Sequence, residues 1–284
     1  MKRLLFFVNP NAGHTEIRSS LMQVIQIFTA GGYEVTVHPT AGPRDLTRQI
    51  VERGADYDLI VCTGGDGTLN EATSGLMQLE HRPPLGYIPG GTVNDVASSL
   101  GLSRDPVVAA QDIVHGKPFA IDIGAFGESR WFDYVAAFGL FTNVPYQTPQ
   151  VDKRIWGRMA YFFNGVQALG EVHPVHARVS WDGKTVEADI IDGLVCSTTS
   201  VGGFKATRAV GEFGISMNDG LYEVVLIRDI KNLADFSAVA AKLLWMDFSD
   251  ENYFITAQTS AIRFEFDDPV AWTLDGEFGG SVTD

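Results

Sequence analysis

Apolar positions in the first third of the chain fall alternately into short unbroken runs and helically spaced sets. Leu4 to Val8 is a continuous apolar run, the mark of a strand buried on both faces. From Glu16 to Thr29, Ile17, Leu21, Val24, Ile25 and Phe28 share one side of a helix, and Gly31-Gly32 ends it. The alternation continues with a strand over Glu34 to Val37, a helix over Arg44 to Arg53 and a strand over Asp58 to Cys62. A helix over Thr68 to Met77, a strand over Leu85 to Ile88 and a short helix over Asn94 to Leu100 follow. Repeated strand–helix units of this kind predict a mostly parallel sheet covered on both faces, with ligands beyond the carboxyl ends of its strands.

After about residue 125 the pattern becomes strand-dominated. Trp181-Asp182-Gly183-Lys184 reads as a turn between strands, and Ala188 to Ser197, Leu221 to Ile227 and Ala261 to Phe266 read as strands. Lys153 to Leu169 and Ala234 to Trp245 are the two helical stretches. The predicted fold class is therefore α/β, with a parallel-sheet domain over 1–125 and a second, β-rich, sandwich-like domain over 126–284.

Composition narrows the function classes. The chain has 284 residues and a formal net charge of -14, from 21 Lys and Arg against 35 Asp and Glu. Nucleic-acid binding needs a broad basic field, so this balance argues against it. Cys62 and Cys196 are the only cysteines and each follows an apolar run, which predicts buried thiols and no disulfide. The apolar run after Met1-Lys2-Arg3 stops at Asn9-Pro10, too early for a signal peptide, and no stretch reaches the length of a membrane-spanning helix. A cytoplasmic location is expected.

Glycine carries the chemical signal. The 30 glycines cluster at predicted strand ends, in Asn9-Pro10-Asn11-Ala12-Gly13, Gly64-Gly65-Asp66-Gly67-Thr68 and Pro89-Gly90-Gly91-Thr92-Val93-Asn94-Asp95. In a parallel sheet these three loops open on one rim, where backbone N–H groups can face an anion. Each loop alone also fits an ordinary tight turn. None matches a Walker A loop or a dinucleotide fingerprint, and no Lys follows the glycines. Magnesium is then the expected charge partner of a bound triphosphate, held by carboxylates directly or through water. Asp66, Asp95 and Asp122 are the candidates; Asp95 also fits a helix cap, and Asp122 a solvated strand end. In Trp272-Thr273-Leu274-Asp275-Gly276-Glu277, Asp275 fits a general base for transfer to an alcohol, with Glu277 beside it; the same residues fit a plain turn.

These residues resemble the soluble bacterial diacylglycerol kinase and lipid kinase family, related to sphingosine kinases. The resemblance rests on the first loop, on Gly64 to Glu71, on Gly90 to Ala97, on Val201-Gly202-Gly203-Phe204, on Asp219-Gly220-Leu221 and on Leu274-Asp275-Gly276-Glu277. It implies a nucleotide-binding domain similar to phosphofructokinase and NAD kinase, and a β-rich domain with which it receives lipid. By the resemblance, Asn9, Gly64, Gly65, Gly67, Thr68, Gly91, Thr92 and Asn94 contact ATP. Asp66, Asp95 and Asp122 form the carboxylate–water network of a catalytic Mg²⁺. Asp275 is the base, although related enzymes leave its division of labour with Asp66 open. Asp219, with the carbonyls of Met217 and Leu221, is implied to hold a structural Mg²⁺; without the resemblance this segment reads as a turn. Family members often carry Ser where this chain has Ala12. They continue past the Asp-Gly-Glu turn, some of that sequence returning to the first domain, whereas this sequence runs to Asp284.

The implied reaction is ATP-dependent phosphorylation of a lipid hydroxyl, diacylglycerol first, by an enzyme transiently peripheral to the inner face of the membrane. A sphingoid base, ceramide, phosphatidylglycerol or NAD as acceptor, a non-catalytic nucleotide- or lipid-binding module, and a homodimer stay open. Phe126, Trp131, Phe132, Tyr134, Phe138, Phe141, Trp156, Tyr161, Phe162 and Phe163 are candidates for a lipid groove or for simple core packing. Lys153, Arg154 and Arg158 form a local basic cluster suited to phosphate or headgroups, or to solvent.

Overall fold

The computed structural model describes residues 1–10, 16–139, 173–198, 200–201, 204–205, 216–244 and 247–284. Asn11, Ala12 and Gly13 of the first loop, Gly202 and Gly203, and the expected helix over 153–169 with its aromatic and basic residues lie outside these, as does Phe141. The chain divides into two compact units, Met1–Asp133 and Tyr134–Asp284. That division keeps Phe126, Trp131 and Phe132 with the first unit.

In the first unit, strands β1 (Lys2–Val8), β2 (Tyr33–Pro39), β3 (Leu59–Gly64) and β4 (Leu85–Pro89) form a parallel sheet in the order β2-β1-β3-β4. Their apolar runs are continuous because both faces are covered. Helices α1 (Glu16–Ala30) and α5 (Pro106–His115) bury Ile17, Val24, Phe28, Ala109 and Ala110 against Leu4, Phe6, Leu59, Val61 and Ile88. Phe6 and Phe28 meet edge to face at 5.5 Å. Helices α2 (Asp45–Arg53) and α3 (Asp66–Leu76) pack on each other, closely enough that a Cβ on Gly75 would stand 2.8 Å from the Ile50 side chain. Helix α4 (Asp95–Leu100) ends at Gly101 in the left-handed region, and β5 (Gly124–Phe126) pairs with β6 (Arg130–Phe132) as a hairpin.

Helix α5 had no counterpart in the sequence reading. Its signal is nonetheless in the chain: the Asp105 side chain accepts the N–H groups of Val107 and Val108 at 2.8 and 3.3 Å, and Pro106 takes the first helical position. A second difference lies at Gly64 to Thr68. β3 continues through Gly64, paired with Pro89, and α3 already begins at Asp66, two residues before the expected start. Gly65 alone links strand to helix, so Gly67 and Thr68 belong to the first helical turn.

In the second unit one antiparallel network of eight strands surrounds a long central strand. β7 (Val135–Gly139), β8 (Val175–Trp181), β9 (Lys184–Cys196), β12 (Tyr222–Arg228), β13 (Phe254–Thr259), β14 (Arg263–Phe266), β15 (Val270–Leu274) and β16 (Glu277–Val282) compose it. A small hairpin, β10 (Ser200–Val201) with β11 (Phe204–Lys205), stands apart. β9 serves two wings: its first half pairs with β8, its second with β7 on the same edge and β12 on the other. Rings from both wings meet, Phe138 lying 4.6 Å from Trp272, 5.3 Å from Phe266 and 5.7 Å from Phe264. Helix α6 (Leu233–Leu244) covers the β9–β12–β13 face through Phe236, Val239 and Ala240 against Ile191, Val225, Ile227 and Phe254.

Both cysteines are buried and unbridged. Burial pushes the Cys62 thiol well above its ordinary range and the Cys196 thiol up to about 12, so neither is a ready nucleophile. Among the described residues no helix is long and apolar enough to cross a membrane.

Candidate functional site

The carboxyl ends of β1, β3 and β4 form one rim of the first unit. Beyond the strands the ladder continues: Asn9 N–H donates to Thr63 O at 3.3 Å, and Gly90 N–H to Gly64 O at 2.7 Å. The two glycine pairs then lie backbone on backbone. A Cβ on Gly91 would stand 2.5 Å from Gly65 Cα, and one on Gly64 would stand 2.2 Å from Thr68 Oγ1. Glycine is required here by the packing itself, a reason the sequence does not display.

The side chains around this contact hold it in place. Asn94 takes the left-handed conformation (φ 56°) and is 1% exposed. Its Oδ1 accepts Gly91 N–H at 3.0 Å while its Nδ2 donates to Gly91 O at 2.7 Å. The Tyr87 hydroxyl lies 3.0 Å from Gly64 O and 3.1 Å from Asn94 Oδ1, so its one proton serves both loops. Burial, then the nearby Asp66 charge, pushes that hydroxyl far above its ordinary range and keeps it a donor. Asn9 Nδ2 donates to Thr68 Oγ1 at 3.1 Å, joining the first loop to the second. Asn94 thus spends its amide on loop structure.

The acidic candidates of the first unit sit around this rim. Asp66 opens α3 half-buried, and Asp95 opens α4 at 2% exposure. The residue flanking α4 is Asn94, without a side-chain cap bond, so Asp95 is not the cap. Asp122 lies half-buried in the irregular segment before β5. Among the described residues, no three Asp, Glu, His or Cys side chains converge as a direct metal cage. Three groups escaped the sequence reading: Tyr87, hidden in an apolar strand; Arg104, whose guanidinium reaches the Thr92 and Val93 carbonyls; and Asp133, 1% exposed, whose charge also bears on Tyr87.

In the second unit, Asp275-Gly276 is a two-residue hairpin turn with both φ values positive (50° and 85°), joining Leu274 to Glu277. The turn buries Asp275 to 7% exposure. Its Oδ1 accepts the N–H groups of Tyr134 and Val135 at 3.0 and 3.1 Å, and its own N–H donates to Val135 O at 2.8 Å. Glu277 is exposed at the start of β16.

Asp219 is exposed, and its Oδ1 accepts Leu221 N–H at 3.0 Å, closing the turn expected from residue type alone. Met217 is buried beside it in sequence, and Leu221 is half-buried. Glu223, four residues on, is 1% exposed. Its Oε1 accepts Gln258 Nε2 at 3.2 Å, whereas Oε2 meets no donor among the described residues. Burial pushes this carboxyl above its ordinary range, and Asp219 adds to the effect.

The catalytic-domain model of diacylglycerol kinases matches residues 3–126. A diacylglycerol kinase of Bacillus subtilis (strain 168) is 34% identical over 99% of this chain and 92% of its own length. The chain belongs to the diacylglycerol kinase family. A diacylglycerol kinase of Staphylococcus aureus (strain MRSA252) is 29% identical over 99% of this chain and 88% of its own. The crystal structure of a diacylglycerol kinase from Bacillus anthracis str. Sterne superposes with a TM-score of 0.74 at 22% identity, covering 99% of this chain and 90% of that one. The similarity to this family therefore spans both units. As a member of the diacylglycerol kinase family the chain is an enzyme, a kinase that carries out ATP-dependent phosphorylation.

Proposed function

We propose that the chain transfers the γ-phosphoryl group of ATP to the free hydroxyl of diacylglycerol, giving phosphatidate and ADP. The observation that carries this reading in the structure is the backbone contact of Gly64-Gly65 with Gly90-Gly91, which brings two side-chain-free loops to one rim. Bare peptide of this kind allows close approach of phosphate oxygens. Asn9, Thr68 and Thr92 stand at the rim as polar contacts, and Gly67 lies in the first turn of α3. In this reading the unit belongs with the phosphofructokinase and NAD kinase sheets.

Asp66, Asp95 and Asp122 are proposed to act on magnesium through water, the arrangement left when no direct carboxylate cage forms. Bound magnesium supplies neutralisation of the triphosphate charge. The Asp219 segment fits a second cation better, because Glu223 buries a carboxylate oxygen without a donor close to it in sequence. Asp219, with the Met217 and Leu221 carbonyls, would hold that ion.

For the transfer, the lipid hydroxyl oxygen forms a bond to the γ-phosphorus as the bond to the β-phosphate oxygen breaks. The hydroxyl proton passes to Asp275. Since Oδ1 is committed to two backbone N–H groups, Oδ2 is the atom proposed to receive it. The lipid is proposed to be taken from a membrane surface by a chain that does not span it.

The test is transfer from [γ-³²P]ATP with Mg²⁺ to a total lipid extract, with purified diacylglycerol, sphingoid base and NAD in parallel. Label in phosphatidate supports the reading. Label in another lipid or in NADP overturns the choice of acceptor, and nucleotide binding with no transfer to any hydroxyl overturns the activity.

A further inference from the structure

We propose that Arg104 is a positioning residue of the nucleotide site, fixing the 89–95 loop so that two of its peptide N–H groups stay available to a triphosphate. The inference rests on the reading of this rim as the ATP site. Arg104 Nη1 donates to Thr92 O at 3.4 Å and Nη2 to Val93 O at 2.6 Å. One rigid guanidinium fork thus takes two successive carbonyls.

Peptide planarity turns this into a statement about the opposite side of the loop. In a trans peptide the carbonyl of one residue and the N–H of the next point in opposite directions, and the chain has no cis bond among the described residues. With the Thr92 and Val93 carbonyls drawn to Arg104, the Val93 and Asn94 N–H groups face away from it. Neither donates to a protein acceptor among the described residues. The same fork withdraws two carbonyl dipoles whose negative ends would repel an anion. It also brings a cation to a loop whose own sequence contains neither Lys nor Arg.

Arg104 is itself held firmly. It directly precedes Asp105, the residue that caps α5, and α5 sets Ile113 against the strand that feeds the loop: a Cβ on Gly86 of β4 would stand 2.9 Å from that side chain. Strand, loop and helix therefore form a closed circuit, with the guanidinium as its last link. On the inner side, Asn94 and Tyr87 tie the loop to Gly64; on the outer side, Arg104 does the same work from α5.

The experiment compares wild type, Arg104→Ala and Arg104→Lys by calorimetric ATP binding, by steady-state kinetics and by amide hydrogen exchange across 89–95. For Arg104→Ala the expected result is an ATP Kd and KM raised about tenfold, with the lipid KM unchanged, kcat within about twofold and faster exchange in the loop. Lys restores part of the affinity, because one ammonium keeps the charge but loses the fork. Wild-type ATP affinity in Arg104→Ala overturns the proposal, as does an equal loss in ATP and lipid KM. If Arg104→Ala does not fold, Arg104→Gln carries the test, and an unchanged Kd there overturns the proposal too. A wild-type chain that binds no ATP instead overturns the functional reading of the rim.

Discussion

Asp182-Gly183 and Asp275-Gly276 are two copies of one local structure. Each is a two-residue hairpin turn, with φ values of 45° and 74° in the first and 50° and 85° in the second. Local chemistry explains both equally, since Asp tolerates the left-handed region and Gly prefers it. The carboxylates nonetheless live differently. Asp182 is exposed and accepts only the Thr259 hydroxyl among its described contacts, at 3.0 Å. Asp275 is buried and clamped by two N–H groups from the start of β7. A turn motif thus says how the chain reverses; the tertiary neighbours say whether the acid can have a task.

The largest test of that contrast is catalytic. Asp275→Asn keeps the turn and an oxygen acceptor but removes the proton acceptor, so turnover should fall about 10³-fold with ATP affinity retained, whereas Asp182→Asn should leave turnover unchanged. Wild-type turnover in the first variant would remove Asp275 from the chemistry. Stability separates the turns next. Asp275→Ala takes the shared acceptor from two buried N–H groups and should cost about 2–3 kcal/mol in chemical denaturation. Asp182→Ala should cost under about 0.5 kcal/mol, because the Thr259 hydroxyl can turn wholly to Ala261 O.

The glycines should behave alike where the acids do not. Gly276→Ala and Gly183→Ala each force a Cβ into positive φ and should each lower stability by about 1 kcal/mol, with only the former reducing turnover. Asp45 supplies the smallest and most pH-dependent member of the set. Its buried carboxyl accepts Ala41 N–H at 2.9 Å and pairs with His38 and Arg48, in that order of influence, which holds its pKa well below the ordinary range. The fold therefore favours the ionised form. The stabilisation is full above the unfolded carboxylate pKa of about 4 and is lost as pH falls through the depressed native value. Asp45→Asn should be less stable by about 1 kcal/mol at pH 7, with melting curves converging on wild type in strong acid.

The sheet of the first unit was legible because burial on both faces writes itself as unbroken apolar runs, as in Leu4 to Val8 and Leu59 to Cys62. The glycine clusters were legible as clusters. What they pack against was not, since Gly65 and Gly91 meet only after the sheet forms. Asn94 was expected at a nucleotide and was found bracketing Gly91. Tyr87 and Asp133 carry no local signal: the first sits in an apolar strand, and the second matters through Tyr87 and Cys62. The forked sheet around β9 was equally invisible, because which edge a strand pairs with is a long-range choice.

The meeting of Gly65 and Gly91 has an evolutionary consequence. With one main chain serving as the other's wall, neither position can drift alone, and a compensating change has no side chain to shrink. Descendants of this sequence could alter the acids around the rim one at a time, but they would have to inherit these two residues as a single character.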